Sequence, residues 1–340
     1  MTDVGALITT RLEALTGGNV SIERVVPLVG GACQDNYRVD LEVRSGVHAG
    51  RHRMVLRSDA KRSLPGSLGR KDEFSVIETS ARRGVKTPRA VFLLPSLLRE
   101  GADAYLMDFA DGEAIGAKIL RDPALEGARK KLPGELAEAL AKIHTITPEN
   151  APELDLPLRA TPKDRDPAEL AIESQSEALD QLPETHPGLE LALCWLKSHM
   201  PKNHEVTLVH GDFRTGNFLV TPDGLSGILD WEFAHWGSPM DDIAWLCVRD
   251  WRFGNLKAPA GGLATRRTFY DAYAKASGRT VDPAGVHFWE IMGNVRWAIG
   301  AVVQGLRYVE SGEADLELPA IARRAVEMEY EALRLIEHGA

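Results

Sequence analysis

The chain has 340 residues, 44% of them hydrophobic and 26% charged, enough material for two packed lobes. A net charge of −9 argues against a general nucleic-acid binder, and no apolar run approaches the length that spans a membrane. Three cysteines, Cys33, Cys194 and Cys247, share no metal-ligand spacing and predict buried small hydrophobes in a reduced, cytoplasmic setting.

Val4, Leu7, Ile8, Leu12 and Leu15 recur at helical spacing, and Gly17 and Gly18 stop the helix they predict. An early acid and this alternation are unlike a secretory signal. Short β-rich pieces follow over 22–44 and 52–59, with the glycine pair Gly30 and Gly31 marking a tight turn between the first two. "GRKDEFSVIETSARRG" predicts a helix with Phe74, Ile77 and Ala81 on one face and Gly84 at its end. "RAVFLLP" and "AYLMDFADG" predict two more strands, completing a small α+β lobe.

After Gly112 the pattern becomes helical, with Pro133, Pro167 and Pro187 expected at the first turns of three helices. The segment 147–167 reads as loop, and the tail from 263 onward as helix again. The charge is uneven. Residues 1–107 hold 16 Lys/Arg against 12 Asp/Glu, and the remainder 24 against 37, a split that suits a polyanionic cofactor between two lobes.

Two short strands interrupt the helices and carry the chemistry. "HGDFRTGN" fits the kinase catalytic-loop pattern H-x-D-x-x-x-x-N with His210, Asp212 and Asn217. Thirteen residues further on, "LSGILDWE" ends an apolar strand in Asp230, where a hairpin would return a second carboxylate beside the first. Singly, these are turn residues and a strand cap; in this order and spacing they predict phosphoryl transfer. That reaction needs a carboxylate to orient and accept the proton of the attacking hydroxyl, and oxygen ligands to fix Mg²⁺ on the phosphates.

"HGDFRTGNFLV…GILDWEFAHWGSPMDDIAWL", with its G-x-P-x-x-D at Gly237, Pro239 and Asp242, resembles the signature of the aminoglycoside phosphotransferase and choline kinase-like family. Within it, the sequence is most like the branch that includes kinase-like domains fused to some acyl-CoA dehydrogenases. The resemblance implies the bilobal protein-kinase fold: a nucleotide lobe over 1–106, a linker over 107–112 and a mostly helical catalytic and acceptor lobe over 113–340. It implies that Asp212 is the catalytic base, that Asn217 and Asp230 hold Mg²⁺, and that Asp242 braces the catalytic loop. Gly30 and Gly31 would cover the phosphates of ATP or GTP, and the backbone of Met107, Asp108 and Phe109 would meet the base.

Kinases carry a lysine on the third strand, paired with a helix glutamate. Here the corresponding residue is Arg57, with Glu73 as partner and Glu78 as the alternative. Trp251, Arg252 and Trp297 fall where the resemblance places an acceptor pocket, whereas His144 reads as a packed or loop-bracing histidine. The implied activity is transfer of the γ-phosphoryl group to a hydroxyl of a small molecule. The arginines and tryptophans near the pocket favour a hydroxy acid or hydroxyacyl-CoA. The alternatives are an aminoglycoside or macrolide kinase, or a nucleotide-binding pseudokinase. The oligomeric state is not encoded legibly.

Overall fold

The computed structural model describes residues 4–28, 35–59, 66–156, 166–202, 204–311 and 316–339. Gly30, Gly31 and Cys33 therefore lie outside the described residues. Helix α1 (Val4–Thr16) buries Ile8 and Leu12 against an antiparallel sheet built from β1 (Val20–Pro27), β2 (Asp35–Val43) and β3 (Gly50–Ser58). Helix α2 (Arg70–Arg82) follows, then β4 (Ala90–Arg99) and β5 (Ala102–Asp108), giving the strand order β1-β2-β3-β5-β4. Asp72 and Glu73 lie in the first turn of α2, where the helix dipole favours acids. The register aligns Asn36, Arg57 and Tyr105 in one row across β2, β3 and β5.

The second part is helical: α3 (Gly116–Arg121), α4 (Glu126–Ile143), α5 (Pro167–Asp180) and α6 (Pro187–Ser198). Pro167 and Pro187 open their helices as expected, but Pro133 does not. It lies inside α4, which begins at Glu126. The buried stripe Leu125, Ala128, Leu132 and Leu136 runs straight through the proline, so packing outweighs the one hydrogen bond it removes. Arg129 also anchors this first half, donating to the carbonyls of Ile119 and Asp122 at 3.0 and 2.7 Å.

Next come β6 (Thr207–Val209), the hairpin β7 (Phe218–Thr221) and β8 (Gly224–Ile228), and β9 (His235–Gly237), which pairs with β6. Helices α7 (Pro239–Cys247), α8 (Arg266–Ser277), α9 (Pro283–Ser311), α10 (Glu317–Ala322) and α11 (Ala325–His338) complete the fold. One hydrophobic cluster fills the sheet and α1; a larger one fills the helical part and takes in Val76 and Ile77 of α2. The segment before β4 joins the two parts: Ile228 N–H donates to Lys86 O at 2.7 Å, and Thr87 Oγ1 donates to Ile228 O at 3.0 Å. Among the described residues no helix is long and apolar enough to cross a membrane.

Candidate active site

Strand β6 delivers the catalytic loop, and α7 fixes it. Asp242 is wholly buried and accepts His210 N–H at 2.8 Å and Gly211 N–H at 3.0 Å, one on each carboxylate oxygen. His144, also wholly buried, donates from Nε2 to Asp242 at 3.2 Å and accepts the Tyr273 hydroxyl on Nδ1 at 2.7 Å. His144 therefore braces the brace. His210 turns the other way: Nε2 donates to Leu229 O at 2.9 Å, one residue before Asp230, while Nδ1 accepts Asp212 N–H at 3.2 Å. Gly211 has φ +78°, and a Cβ there would stand 2.1 Å from Phe233 O. Only glycine fits this crossing.

Asp212, nine-tenths buried, receives three side-chain donors. Trp245 Nε1 gives 2.7 Å to Oδ1, Asn217 Nδ2 gives 2.5 Å to Oδ2, and Arg214 Nε reaches both oxygens at 3.0 and 3.3 Å. Leu229 N–H donates to Asn217 O at 2.8 Å, tying the catalytic loop to the end of β8. Asp230 follows in a left-handed conformation, φ 67° and ψ 63°, unusual outside glycine and suited to turning its carboxylate into the cleft. Burial alone would raise its pKa, but the Arg57 guanidinium, with Arg214 and His210 adding, holds it below the usual carboxylate range. With Asn217 Nδ2 spent on Asp212, its amide oxygen and the second Asp230 oxygen are hard donors of the kind Mg²⁺ takes. No cluster of three or more His, Cys, Asp or Glu that would suit a zinc-type centre occurs among the described residues.

Arg57 faces this pair from β3. Its Nη2 donates to Asp230 Oδ1 at 2.8 Å and lies 3.2 Å from Glu73 Oε1. Glu73 is fully buried and also takes Arg70 Nη1 at 2.5 Å, whereas Glu78 is exposed on the far side of α2. The pairing alternatives left by the sequence thus resolve to Glu73. Glu232, two residues after Asp230, is pushed up to about 7 by burial and by the neighbouring Asp230 and Glu73 carboxylates.

A cavity of about 1030 Å³ opens from these residues. Asn36, Arg57, Asp230 and Glu232 border one end. Past Asp212, the wall is a run of tryptophans: Trp245 and Trp251 have ring centres 5.5 Å apart, Trp251 and Trp297 5.2 Å. Arg214 lies 4.4 Å over Trp251, and Arg296 4.1 Å over Trp245. Beyond them the cavity runs between α5 and α9, lined by Ala178, Leu182, Ile299 and Val303. A buried carboxylate, two further oxygen donors, a guanidinium and a roomy second chamber are the kinds of parts that a phosphoryl-transfer centre needs. A model of the family described as "Phosphotransferase enzyme family" matches residues 24–286. The chain belongs to the phosphotransferase enzyme family.

Among curated relatives of this phosphotransferase is mouse acyl-CoA dehydrogenase family member 10, 27% identical over 206 residues. The match covers 54% of this chain but 17% of the mouse protein, so the chain spans a small part of that relative's length. The fold is similar to that of a Ralstonia eutropha protein assigned by name to the aminoglycoside phosphotransferases, with TM-score 0.71 and 19% identity over 97% of this chain and 98% of that one. It is also similar to the GDP complex of aminoglycoside 2'-phosphotransferase-IIIa, with TM-score 0.62 and 20% identity over 96% and 98%. The architecture is the bilobal protein-kinase-like one that these neighbours share.

The structure thus brings together Asp212, Asn217, Asp230, Arg57 and Glu73 of this phosphotransferase, and lines its cavity with Trp251 and Trp297. One expectation needs correction, and a second is narrowed. Arg252 does not face the acceptor chamber. It is 6% exposed and donates to Cys247 O and Glu290, a fully buried acid that Arg266 also pairs. A buried glutamate needs that compensation, so this guanidinium is not free for a ligand. In the linker, Asp108 N–H donates to Arg89 O and Phe109 N–H to Arg53 O, both at 2.9 Å. These two amides belong to the sheet, and Met107 beside them is buried in β5. Neither amide is left for a nucleotide base.

Sequence reading missed Trp245, Arg214 and Arg70. Trp245 was findable: it follows Asp242 by three residues on α7, so both face the catalytic loop. Arg214 lies inside the motif itself, and Arg70 precedes Glu73 by three on α2.

Proposed function

We propose that the chain transfers the γ-phosphoryl group of ATP or GTP, with Mg²⁺, to a hydroxyl of a small molecule, and that the acceptor is a hydroxy acid or hydroxyacyl thioester. The observation that carries the reading is the convergence of Asp212, Asn217, Asp230 and Arg57 at the mouth of one cavity. Residues 1–106 serve as the nucleotide lobe, 107–112 as the linker and 113–340 as the catalytic and acceptor lobe.

Asp212 orients the attacking hydroxyl and takes its proton as the hydroxyl oxygen bonds to the γ-phosphorus, the bond from that phosphorus to the β-phosphate oxygen breaks, and the nucleoside diphosphate leaves. Its three donors hold the carboxylate in one orientation, which is the positioning this reaction chiefly needs. Arg57 binds phosphate oxygens. Asn217 and Asp230 hold Mg²⁺, which when bound neutralises charge on the β- and γ-oxygens.

The acceptor class rests on the chamber. Arg214, paired with Asp212, and Arg296, paired with Asp241 at 3.3 Å, face it from the tryptophan wall, and the α5–α9 side sets Ala178, Leu182, Ile299 and Val303 among Ser174, Gln175, Gln181 and Gln304. Such a surface rewards burial of an acyl chain and pairs with an anionic end, and it opposes a polycation. The name of the mouse relative points the same way by analogy. The test is a nucleotide-consumption screen over hydroxy acids, their CoA thioesters, amino-sugars and macrolides. Turnover with the amino-sugars alone overturns the acceptor class. Nucleotide binding with no turnover on any acceptor favours a pseudokinase.

A further inference from the structure

Asp230, Arg57, Glu73, Arg70 and Glu232 form a chain of alternating charge that closes on itself. Arg57 bridges Asp230 at 2.8 Å and Glu73 at 3.2 Å. Arg70 bridges Glu73 at 2.5 Å and Glu232 at 3.6 Å, and Glu232 belongs to the same turn as Asp230. Arg70 is 3% exposed, and its other donors are committed to Asp59 Oδ1 at 3.2 Å and Leu68 O at 3.0 Å. It touches no wall of the cavity.

The two glutamate oxygens are divided between the two arginines: Oε2 accepts a hydrogen bond from Arg70, and Oε1 makes an ion pair with Arg57 without a hydrogen bond. That division matters for Arg57. Only its Nη2 is engaged in these pairs, while Nε is buried without a hydrogen-bond partner. Were Glu73 compensated by Arg57 alone, a fully buried carboxylate would draw the whole guanidinium to itself, since an uncompensated buried charge costs far more than a shared one. With Arg70 neutralising half of Glu73, Arg57 keeps donors to spare.

We propose that Arg70 is a positioning residue for the nucleotide phosphates: it holds Glu73 so that Arg57 is steadied but not consumed. This rests on the reading of Arg57 as a phosphate ligand. The role is distinct from general support of the fold, because it acts on phosphate affinity and only through Arg57.

The experiment uses the full chain and calorimetric titration with Mg-ATP, Mg-GTP and adenosine or guanosine, the nucleosides reporting the base pocket without phosphates. Arg70→Met should weaken the Mg-nucleotide that the wild type binds by about tenfold, the scale of one charge-assisted hydrogen bond. Its nucleoside affinity should stay within about twofold, and Arg70→Lys should recover part of the loss. In an Arg57→Ala background, Arg70→Met should cause no further loss, because the path runs through Arg57. Additive losses, equal losses for nucleoside and nucleotide, or an unchanged Mg-nucleotide affinity in Arg70→Met would each overturn the proposal. If Arg70→Met fails to fold, Arg70→Lys is judged on the same ratio of nucleotide to nucleoside loss. Failure of Arg57→Ala itself to weaken Mg-nucleotide binding would instead remove the reading of Arg57, and the role of Arg70 with it.

Discussion

Arg57 Nη2 donates to Asp230 Oδ1 at 2.8 Å across 173 residues of sequence. On the proposed reading, the residue that would bind phosphate and the residue that would bind metal thus satisfy each other in this arrangement. In this arrangement Arg57 more than offsets the effect of burial on Asp230 and holds its pKa below the usual carboxylate range.

Asp230→Asn should therefore separate the two halves of nucleotide recognition. Affinity for Mg-nucleotide is expected to fall about tenfold or more through loss of a charged metal ligand. Affinity for nucleotide in EDTA should hold or rise, because Arg57 is released. Calorimetry with and without Mg²⁺ measures both, and equal losses in the two conditions would place the metal elsewhere.

Asp212→Asn keeps the shape of the loop and removes the proton acceptor. Turnover is expected to drop by roughly 10²–10⁴, the range for a positioned base, with nucleotide affinity within a few-fold. Steady-state rates at saturating acceptor decide it; wild-type turnover in the variant would end the assignment.

For Arg57, the alanine variant should raise the nucleotide KM and the lysine variant should restore only part of it. Lysine offers a point charge where arginine, with Nη2 on Glu73 and Asp230, would have further donors for phosphate. Initial rates against nucleotide concentration are the measurement, and a lysine variant equal to wild type would show that geometry is not used.

The loop brace is expected to show in stability before it shows in rate. Asp242→Ala leaves the amides of His210 and Gly211 and the His144 ring buried without their acceptor. At about 1–3 kcal/mol for each orphaned group, a loss of about 3 kcal/mol or more follows. Urea denaturation checks this; a loss below about 1 kcal/mol would mean that water replaces the carboxylate.

Acid sensitivity should appear at Glu331. Burial alone would raise its pKa, but Arg334 and Arg249 more than offset this and hold the carboxyl below the usual range. A depressed acid stabilises the fold above its ordinary pKa, and that contribution disappears as pH falls through the folded value. Glu331→Gln should thus cost about 1–3 kcal/mol near pH 7. The difference should close as pH drops below the ordinary glutamate range of about 4. Melting curves of both proteins across pH 3–8 test the sign, and a gap that widens in acid would refute it.

The sequence exposed the site where chemistry follows local spacing. His210, Asp212 and Asn217 are read from one loop, and Asp230 from the hairpin that must return beside it. Partners set by packing were less legible. Nothing in "VRDWRF" says that Arg252 turns inward to Glu290, 38 residues away, while Arg214 and Arg296 face the chamber. Pro133 shows the same limit in the fold, since a proline rule is local and the buried stripe that overrides it is not. The linker amides are a related case: the carbonyls of Arg89 and Arg53, set by strand pairing, take the Asp108 and Phe109 N–H groups.

Gly211 carries a consequence of another kind. The hydrogen where its side chain would be lets the loop bearing Asp212 lie directly on the carbonyl of Phe233, three residues past Asp230. The gap between Asp212 and Asp230, the base and the metal ligand of the proposed reaction, is therefore gauged by main chain against main chain. Adding a methyl at 211 would delete no reactive group, yet it would wedge the two acids apart. Reactions that depend on in-line alignment tolerate little such displacement. An alanine there would leave every chemical part present and the instrument out of calibration.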